Sequence, residues 1–467
     1  MIPGPARRFS LNLLLGALGL VGCVSTPTET VPQPVTLPAS FSGTPEAGDI
    51  RLTRQWWHHF DDPRLDEVVA AAVDGSFSLA SARARLRQAR AAARIAGADQ
   101  LPTLDANADA GITRQDGSSS ENYRVGASAS YEVDLWGRIG AGVESARLEA
   151  QASEADLDAA YISLTASTAD TFYRVLRQRA IVDLLDRQRA TNEQVADLIS
   201  VRYRNGQAQF DELLRQRRLA EASVSDLLSA RATLKDLRHQ LAALMGQPAN
   251  TLALPAGTAI IELPPMPGVG LPSQWLNQRP DLRAAWQRVQ SADADVAVAI
   301  AEQYPRLDLS ASLETAATSP TDLFEDWVSS LAAALAVPIF RGGALEAEVD
   351  RSTAARDVAF NDYAQTVVDA VAEVETALSN AHYDQERLIS LNRQLRLAEE
   401  VVERLRQRYI GGAAEYLDVL SALTTLQSVQ RQQLEAQWAL LLDRIVLIRT
   451  IAGGWDTAGP EASEANG

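Results

Sequence analysis

The stretch WWHHFDD, Trp56 to Asp62, holds the residues of this chain best suited to metal chemistry, with His58 and His59 beside Asp61 and Asp62. Imidazoles and carboxylates ligate divalent ions, but only when they converge on one point. Neighbours along a strand or a single helical turn diverge, so the stretch reads as a packed lead-in segment built around Trp56 and Trp57. Elsewhere the supply is thin. The 467 residues include four His and one Cys, and no triad, phosphate loop or metal cluster can be assembled from them. The expectation is a protein that is not an enzyme and has neither a cofactor nor a bound metal. What remains is charge: Glu212 and Asp418 hold matching places in two similar phrases, RYRNGQAQFDELL from Arg202 and RYIGGAAEYLDVL from Arg408.

Composition bounds the partners. A net charge of −17 offers no clustered cationic face, so nucleic acid is excluded as a partner. With 46% hydrophobic and 22% charged residues, the chain is neither disordered nor fibrous. At the start, Arg7 and Arg8 precede an apolar run from Leu11 to Val21, the order of a secretory signal peptide. The run ends in LVGC, which resembles the bacterial lipoprotein signal and implies that Cys23 is lipidated and becomes the first mature residue. Val24 is not the Asp that in such signals favours inner-membrane retention. Residues 24–48, rich in Thr, Pro and Ser, read as a flexible tether. An exported chain with a single Cys forms no internal disulfide, so packing or assembly must stabilise it.

The chain repeats itself. ADQLPTLD at Ala98 matches AEQYPRLD at Ala301, an offset of 203, and VDLWG at Val133 lies opposite VPIFR at Val337, an offset of 204. The phrases at Arg202 and Arg408 are 206 apart. Three collinear matches imply a duplicated structural unit. Within each copy the pattern first has a period of two: Leu104, Ala106, Ala108, Ala110 and Ile112 alternate with polar neighbours, and so do Tyr123, Val125, Ala127, Ala129, Tyr131 and Val133. QDGSSSEN between them reads as a hairpin loop. Leu307, Leu309, Ala311 and Leu313 repeat the alternation, followed by a fainter strand from about Asp326 to Val337. Strands of about ten residues with one apolar face suit a transmembrane β-barrel. Four strands cannot close one, because about eight is the practical minimum, so the chain is expected to oligomerise.

The remaining segments are helical and long. Val143 to Asn205 and Ala344 to Ile410, of 63 and 67 residues, contain neither Gly nor Pro and would span roughly 100 Å. Shorter breaker-free runs follow, Gln207 to Met245 and Ala413 to Ala452, with Gly206 and Gly412 suited to left-handed caps at the two turns. The run from Asp281 to Tyr304 has the length needed to continue the first return helix as a stacked second piece, across the Pro-rich LPPMPGVGLPSQWLNQRPD. By the same logic, a helix from about Asp66 to Gln100 should continue the second.

With these motifs in view, the chain resembles the TolC/OprM-type outer-membrane factors, of the lipoprotein branch often termed NodT-like. The likeness covers essentially the whole mature chain and rests on WWHHFDDPRLDEVV, YEVDLWGRI, RPDLRAA, PIFRGGALEAEV, the two tip phrases and the closing GGW. It implies an α+β fold: a trimeric outer-membrane β-barrel of four strands per subunit, twelve in total, continued by a long periplasmic α-helical barrel and built from two internal repeats. The implied boundaries are a signal peptide 1–22, a lipidated tether and lead-in 23–60, a first repeat 61–270 with β-hairpin 103–134 and helical hairpin 143–245, a second repeat 271–455 with β-hairpin 306–337 and helical hairpin 344–452, and a tail 456–467. The implied function is that of a passive exit duct in the outer membrane, contacting its lipid and docking onto a periplasmic adaptor and an inner-membrane pump of the resistance-nodulation-division (RND) type. By the same resemblance Asp418 and Glu212 line the periplasmic aperture, Tyr409 links the second turn to Glu212, and the tips at Gly206 and Gly412 meet the adaptor. The family's arginine two positions past the second tip glycine is absent, since Ala414 stands there, so fewer links are expected to hold a closed state. A duct for type I secretion and a coiled-coil lipoprotein acting as a spacer are the alternatives.

Overall fold

The computed structural model describes residues 34–38, 40–41, 54–255, 257, 260–264, 266 and 278–452. Cys23, most of the Pro-rich stretch and the closing GGW lie outside them. A 3-10 turn (Trp56–Phe60) and helices α1 (Pro63–Gly75) and α2 (Phe77–Ala98) lead into strands β1 (Thr103–Gln115) and β2 (Ser118–Val133), then into α3 (Arg138–Arg204) and α4 (Phe210–Leu244). The second half repeats that order with α5 (Pro280–Ala301), β3 (Arg306–Ala317), β4 (Val328–Ala336), α6 (Ala344–Ile410) and α7 (Tyr416–Ile451). Among the described residues no helix is long and apolar enough to cross a membrane.

The four strands form one antiparallel sheet in the order β1–β2–β3–β4. Its register gathers the alternating residues onto common faces: Ala106 lies opposite Ala127, Ala127 opposite Leu313, Ala311 opposite Leu331 and Leu307 opposite Leu335. The other face carries hydroxyl pairs, Thr103 with Ser130 and Ser312 with Ser330, each 2.7 Å apart. Aromatic rings mark both ends of the apolar face. Phe324 and Trp327 lie 6.4 Å apart in the β3–β4 loop, and at the opposite end Trp136 stacks on Tyr304 at 4.9 Å and donates to the Pro305 carbonyl at 2.8 Å. An apolar band between two aromatic rims is the form of a lipid-facing barrel wall. One expectation fails here. QDGSSSEN is not a loop: Asp116 (φ 50°) and Gly117 (φ 84°) alone make the turn, and Ser118–Asn122 already pair with β1. Asp-Gly meets the positive φ that a tight hairpin requires at both central residues, which lets the strands run to the tip.

Below the sheet the helices stand side by side. α3 packs against α2 and α4 on one flank and against α5 and α7 on the other, and α6 packs against α5 and α7. The stacking of shorter helices differs from the sequence expectation. A Cβ on Gly75 would stand 2.4 Å from the Met245 carbonyl oxygen, and one on Gly246 2.1 Å from that of Gly75, so the end of α4 abuts the start of α2. Likewise the Arg279 guanidinium, at the start of α5, donates to the Thr450 carbonyl of α7 at 3.3 Å and pairs with Asp281 and with Glu373 of α6. α4 is therefore continued by α2, and α7 by α5. Helix length could not decide the matter, because α2 and α5 have 22 residues each. The expected single helix from Asp66 to Gln100 is also two helices, broken at Ser76 where the glycines must approach.

The lead-in segment forms part of the main core. Trp56, Trp57 and Phe60 are buried with Tyr173 of α3 and Trp438 of α7, and the Trp56 indole donates to Thr165 Oγ1 at 3.0 Å. The WWHHFDD side chains disperse: Asp62 accepts from the Arg64 backbone at 3.1 Å and from the Tyr173 hydroxyl at 3.3 Å, while His58 faces Asp66 at 3.4 Å. Among the described residues no group of three or more His, Cys, Asp or Glu could hold a metal ion.

Between α6 and α7 one carboxyl is displaced in its titration. Burial pushes Asp443 up to about 7, helped by the charge of Asp384, with Arg444 acting in the opposite direction. The folded value exceeds the unfolded one, so the stability tied to this group is fully present below about pH 4 and is lost as pH rises through 7. Asp443→Asn is expected to melt with the parent near pH 4 and several degrees above it at pH 8. Thermal unfolding of the detergent-solubilised protein across that range checks this, and a gap that does not widen with pH refutes it.

Candidate functional site

Both long helices end in the same capped turn. At the first, Gln207 N–H donates to Arg202 O at 2.8 Å and Gly206 N–H to Tyr203 O at 2.9 Å; at the second, Ala413 N–H reaches Arg408 O at 2.8 Å and Gly412 N–H reaches Tyr409 O at 3.1 Å. Gly206 and Gly412 take φ of 70° and 74°, the left-handed cap position of this motif. The repeated phrase is a repeated turn.

The tips hold the two hairpins together. The Tyr409 hydroxyl donates to Glu212 Oε2 at 3.3 Å, and the Arg202 guanidinium lies 4.7 Å over the Tyr409 ring. Burial and the Glu212 carboxylate push the Tyr409 phenol up, so it stays a donor at neutral pH. Behind them the Tyr416 hydroxyl donates to Gln216 Oε1, and Ile199, Leu213, Tyr416 and Leu420 form a small apolar cluster. Asp418, in the first turn of α7, stands apart from this link. It is exposed and lines a groove of about 560 Å³ between α6 and α7 with Leu397, Val401, Ser421 and Thr425.

Sequence reasoning missed a layer of amides above the tips. Asn192 is fully buried; its Nδ2 donates to Ser223 Oγ at 2.6 Å and to Gln427 Oε1 at 3.3 Å, and Gln427 Nε2 returns a bond to Asn192 Oδ1 at 2.9 Å. Gln188 donates to the Gln427 carbonyl at 3.1 Å and Gln216 to the Asn192 carbonyl at 2.8 Å. α3, α4 and α7 are thereby joined through five buried polar side chains, Gln188, Asn192, Gln216, Ser223 and Gln427. The signal was present: Leu185, Gln188, Asn192, Val195 and Ile199 follow the three-then-four spacing of a helical seam, with amides in two places where apolar residues belong.

A sheet with one apolar face and, among the described residues, two unpaired edges, above helices of 67 residues, defines a class: the subunit of a membrane-embedded barrel with a helical extension. Comparison with known proteins narrows the class. The model of the outer membrane efflux protein family matches residues 68–247 and 271–453. The pyoverdine export outer membrane protein OpmQ of Pseudomonas aeruginosa is 32% identical, covering 96% of this chain and 97% of its own. The solved outer-membrane channel OprN superposes with a TM-score of 0.82 at 28% identity, over 92% of this chain and all of its own. The open state of the Neisseria gonorrhoeae MtrE outer membrane channel gives 0.81 at 27% identity, over 92% and 98%. The chain belongs to the outer membrane efflux protein family. It is an outer-membrane efflux channel protein, and its family is one of channels rather than enzymes.

Proposed function

We propose that three copies of the chain close a twelve-stranded barrel over a twelve-column helical tunnel, and that the assembly conducts small molecules passively from a periplasmic adaptor and an RND-type inner-membrane pump to the exterior. One observation carries the reading. The sheet ends at β1 and β4, and the helical layer ends, in the same order, at the α2–α4 column and at α6. Among the described residues both edges of both layers are left open on the same flanks, and the open helices expose Phe210, Leu228 and Val358. An unpaired barrel edge is untenable in lipid, and a neighbouring copy supplies strand and helix together.

Within that assembly the signal peptide 1–22 is removed and Cys23 carries the lipid anchor. Asp418 and Glu212 are the acidic residues of the periplasmic aperture, the Tyr409–Glu212 bond links its two hairpins, and the turns at Gly206 and Gly412 receive the adaptor. Single-channel recording in planar bilayers tests the duct and the aperture together. The parent is expected to show a small cation-selective conductance, and Asp418→Ala is expected to lower the cation preference about twofold or more, since three like charges brought near one axis attract cations. A silent parent would remove the duct, and an unchanged variant would place the constriction elsewhere.

A further inference from the structure

Where α4 meets α2, the helical wall is interrupted and a cavity of about 670 Å³ opens among α2, α3, α4 and α7. Its lining combines the apolar Phe77, Leu244 and Val446 with Asp170, Arg174 and Arg449. The size lies within the range of small-molecule sites. Phe77 is 78% exposed although it sits beside the main core, and its ring flanks the opening. Asp170 and Arg174 pair at 2.7 Å and neutralise each other. Arg449 is exposed and, among the described residues, has no hydrogen-bond or ion-pair partner. Of the charged groups on the lining, Arg449 is thus the one without a contacting partner among the described residues, and it also borders a smaller cavity that holds Arg279, Asp281 and Glu373.

The cavity faces the tunnel. On α3, Ser167, Asp170 and Arg174 recur at three- and four-residue steps, which puts them on the side opposite Phe172 and Leu176. Phe172 and Leu176 belong to the core that also holds the 3-10 turn and α1. That layer is about 10 Å thick, and three copies of it pointing inward would choke a twelve-helix ring. It therefore lies outside, and the cavity opens inward. Asp170 and Arg174 are midway along α3, so the opening lies about 50 Å from either end of that helix.

On the duct reading above, we infer that this cavity is a resting site for a small amphiphilic anion in transit, its apolar part against Phe77 and Leu244 and its negative group at Arg449. The acidic aperture proposed above and a net charge of −17 disfavour an anion in transit, and a weak favourable stop halfway divides that passage. Such a site must hold loosely enough to release, as in other conduction pathways.

The test is current blockade by the trimer in planar bilayers, with 2-naphthalenesulfonate as probe and naphthylmethylammonium as its cationic counterpart. The sulfonate is expected to give brief, salt-sensitive interruptions that the cation does not reproduce. Arg449→Gln should shorten them about five- to tenfold while leaving the open-channel current unchanged, and Phe77→Ala should shorten them independently. Current without sulfonate blockade, or blockade as long in both variants as in the parent, overturns the resting site and leaves the duct standing. A subunit neighbour filling the cavity would appear as a trimer weakened by both variants with no blockade in the parent, and overturns it too. A parent that carries no current overturns both readings.

Discussion

Leu331→Arg is expected to abolish barrel assembly, while Ala332→Arg, one residue away, is expected to be tolerated. The two positions are adjacent on β4 and both are exposed in the single chain, but the register sends them to opposite faces. Leu331, 86% exposed, stands opposite Ala311 on the apolar face; Ala332 stands opposite Ser310 on the hydroxyl-bearing face. An arginine on the lipid side near the bilayer midplane costs about 2–4 kcal/mol, and a three-fold assembly incurs that cost three times. On the water side its guanidinium remains solvated and the cost is near zero. Outer-membrane fractionation and heat-dependent gel mobility read the result, with loss of the assembled species for Leu331→Arg alone. Equal behaviour of the two variants would mean that the sheet has no lipid face.

That contrast was legible in the sequence because a period of two is a local property. Each strand shows its own alternation, and no knowledge of its neighbours is needed to assign the faces. The long helices were legible for a similar reason: the breaker-free run Ala344–Ile410 coincides with α6 from end to end. Relations between distant elements were not. Which short helix continues which long one depends on Gly75 meeting Gly246 and on Arg279 reaching Thr450, contacts across at least 171 residues that helix lengths cannot encode. The Asp116–Gly117 turn was within reach of turn chemistry, but the run of Ser around it suggested a longer loop. Tyr409 and Glu212 came to notice through the family resemblance, and the structure sets their side chains 3.3 Å apart. Asn192 and Gln427 drew no notice, because an amide inside a helix usually faces water.

Asn192→Ala is accordingly expected to be among the most damaging single changes in the helical hairpins. The side chain has no exposed surface and bonds with both Ser223 and Gln427. Truncation leaves both polar atoms of the Gln427 amide without Asn192, at a depth where only 6% of that residue is exposed. Each orphaned buried group costs about 1–3 kcal/mol, so a loss of about 2–5 kcal/mol follows, larger than any surface ion pair of this chain can supply. Ser223 loses less, since it keeps its bond to the Leu219 carbonyl at 2.9 Å. The double change Asn192→Leu with Gln427→Leu removes both partners at once and is expected to recover most of the stability, because apolar groups of similar size leave nothing unpaired. A thermal-melt double-mutant cycle measures the difference. Simple additivity of the two single changes would show that the layer is not a coupled unit. In the coupled case the amides serve as a register mark: they fix which turn of α3 meets which turn of α7, and hence bring Tyr409 within reach of Glu212 at the tips. The leucine pair should then keep the fold while loosening that register. Its single-channel conductance should vary more from molecule to molecule than that of the parent, although its melting point is close to it.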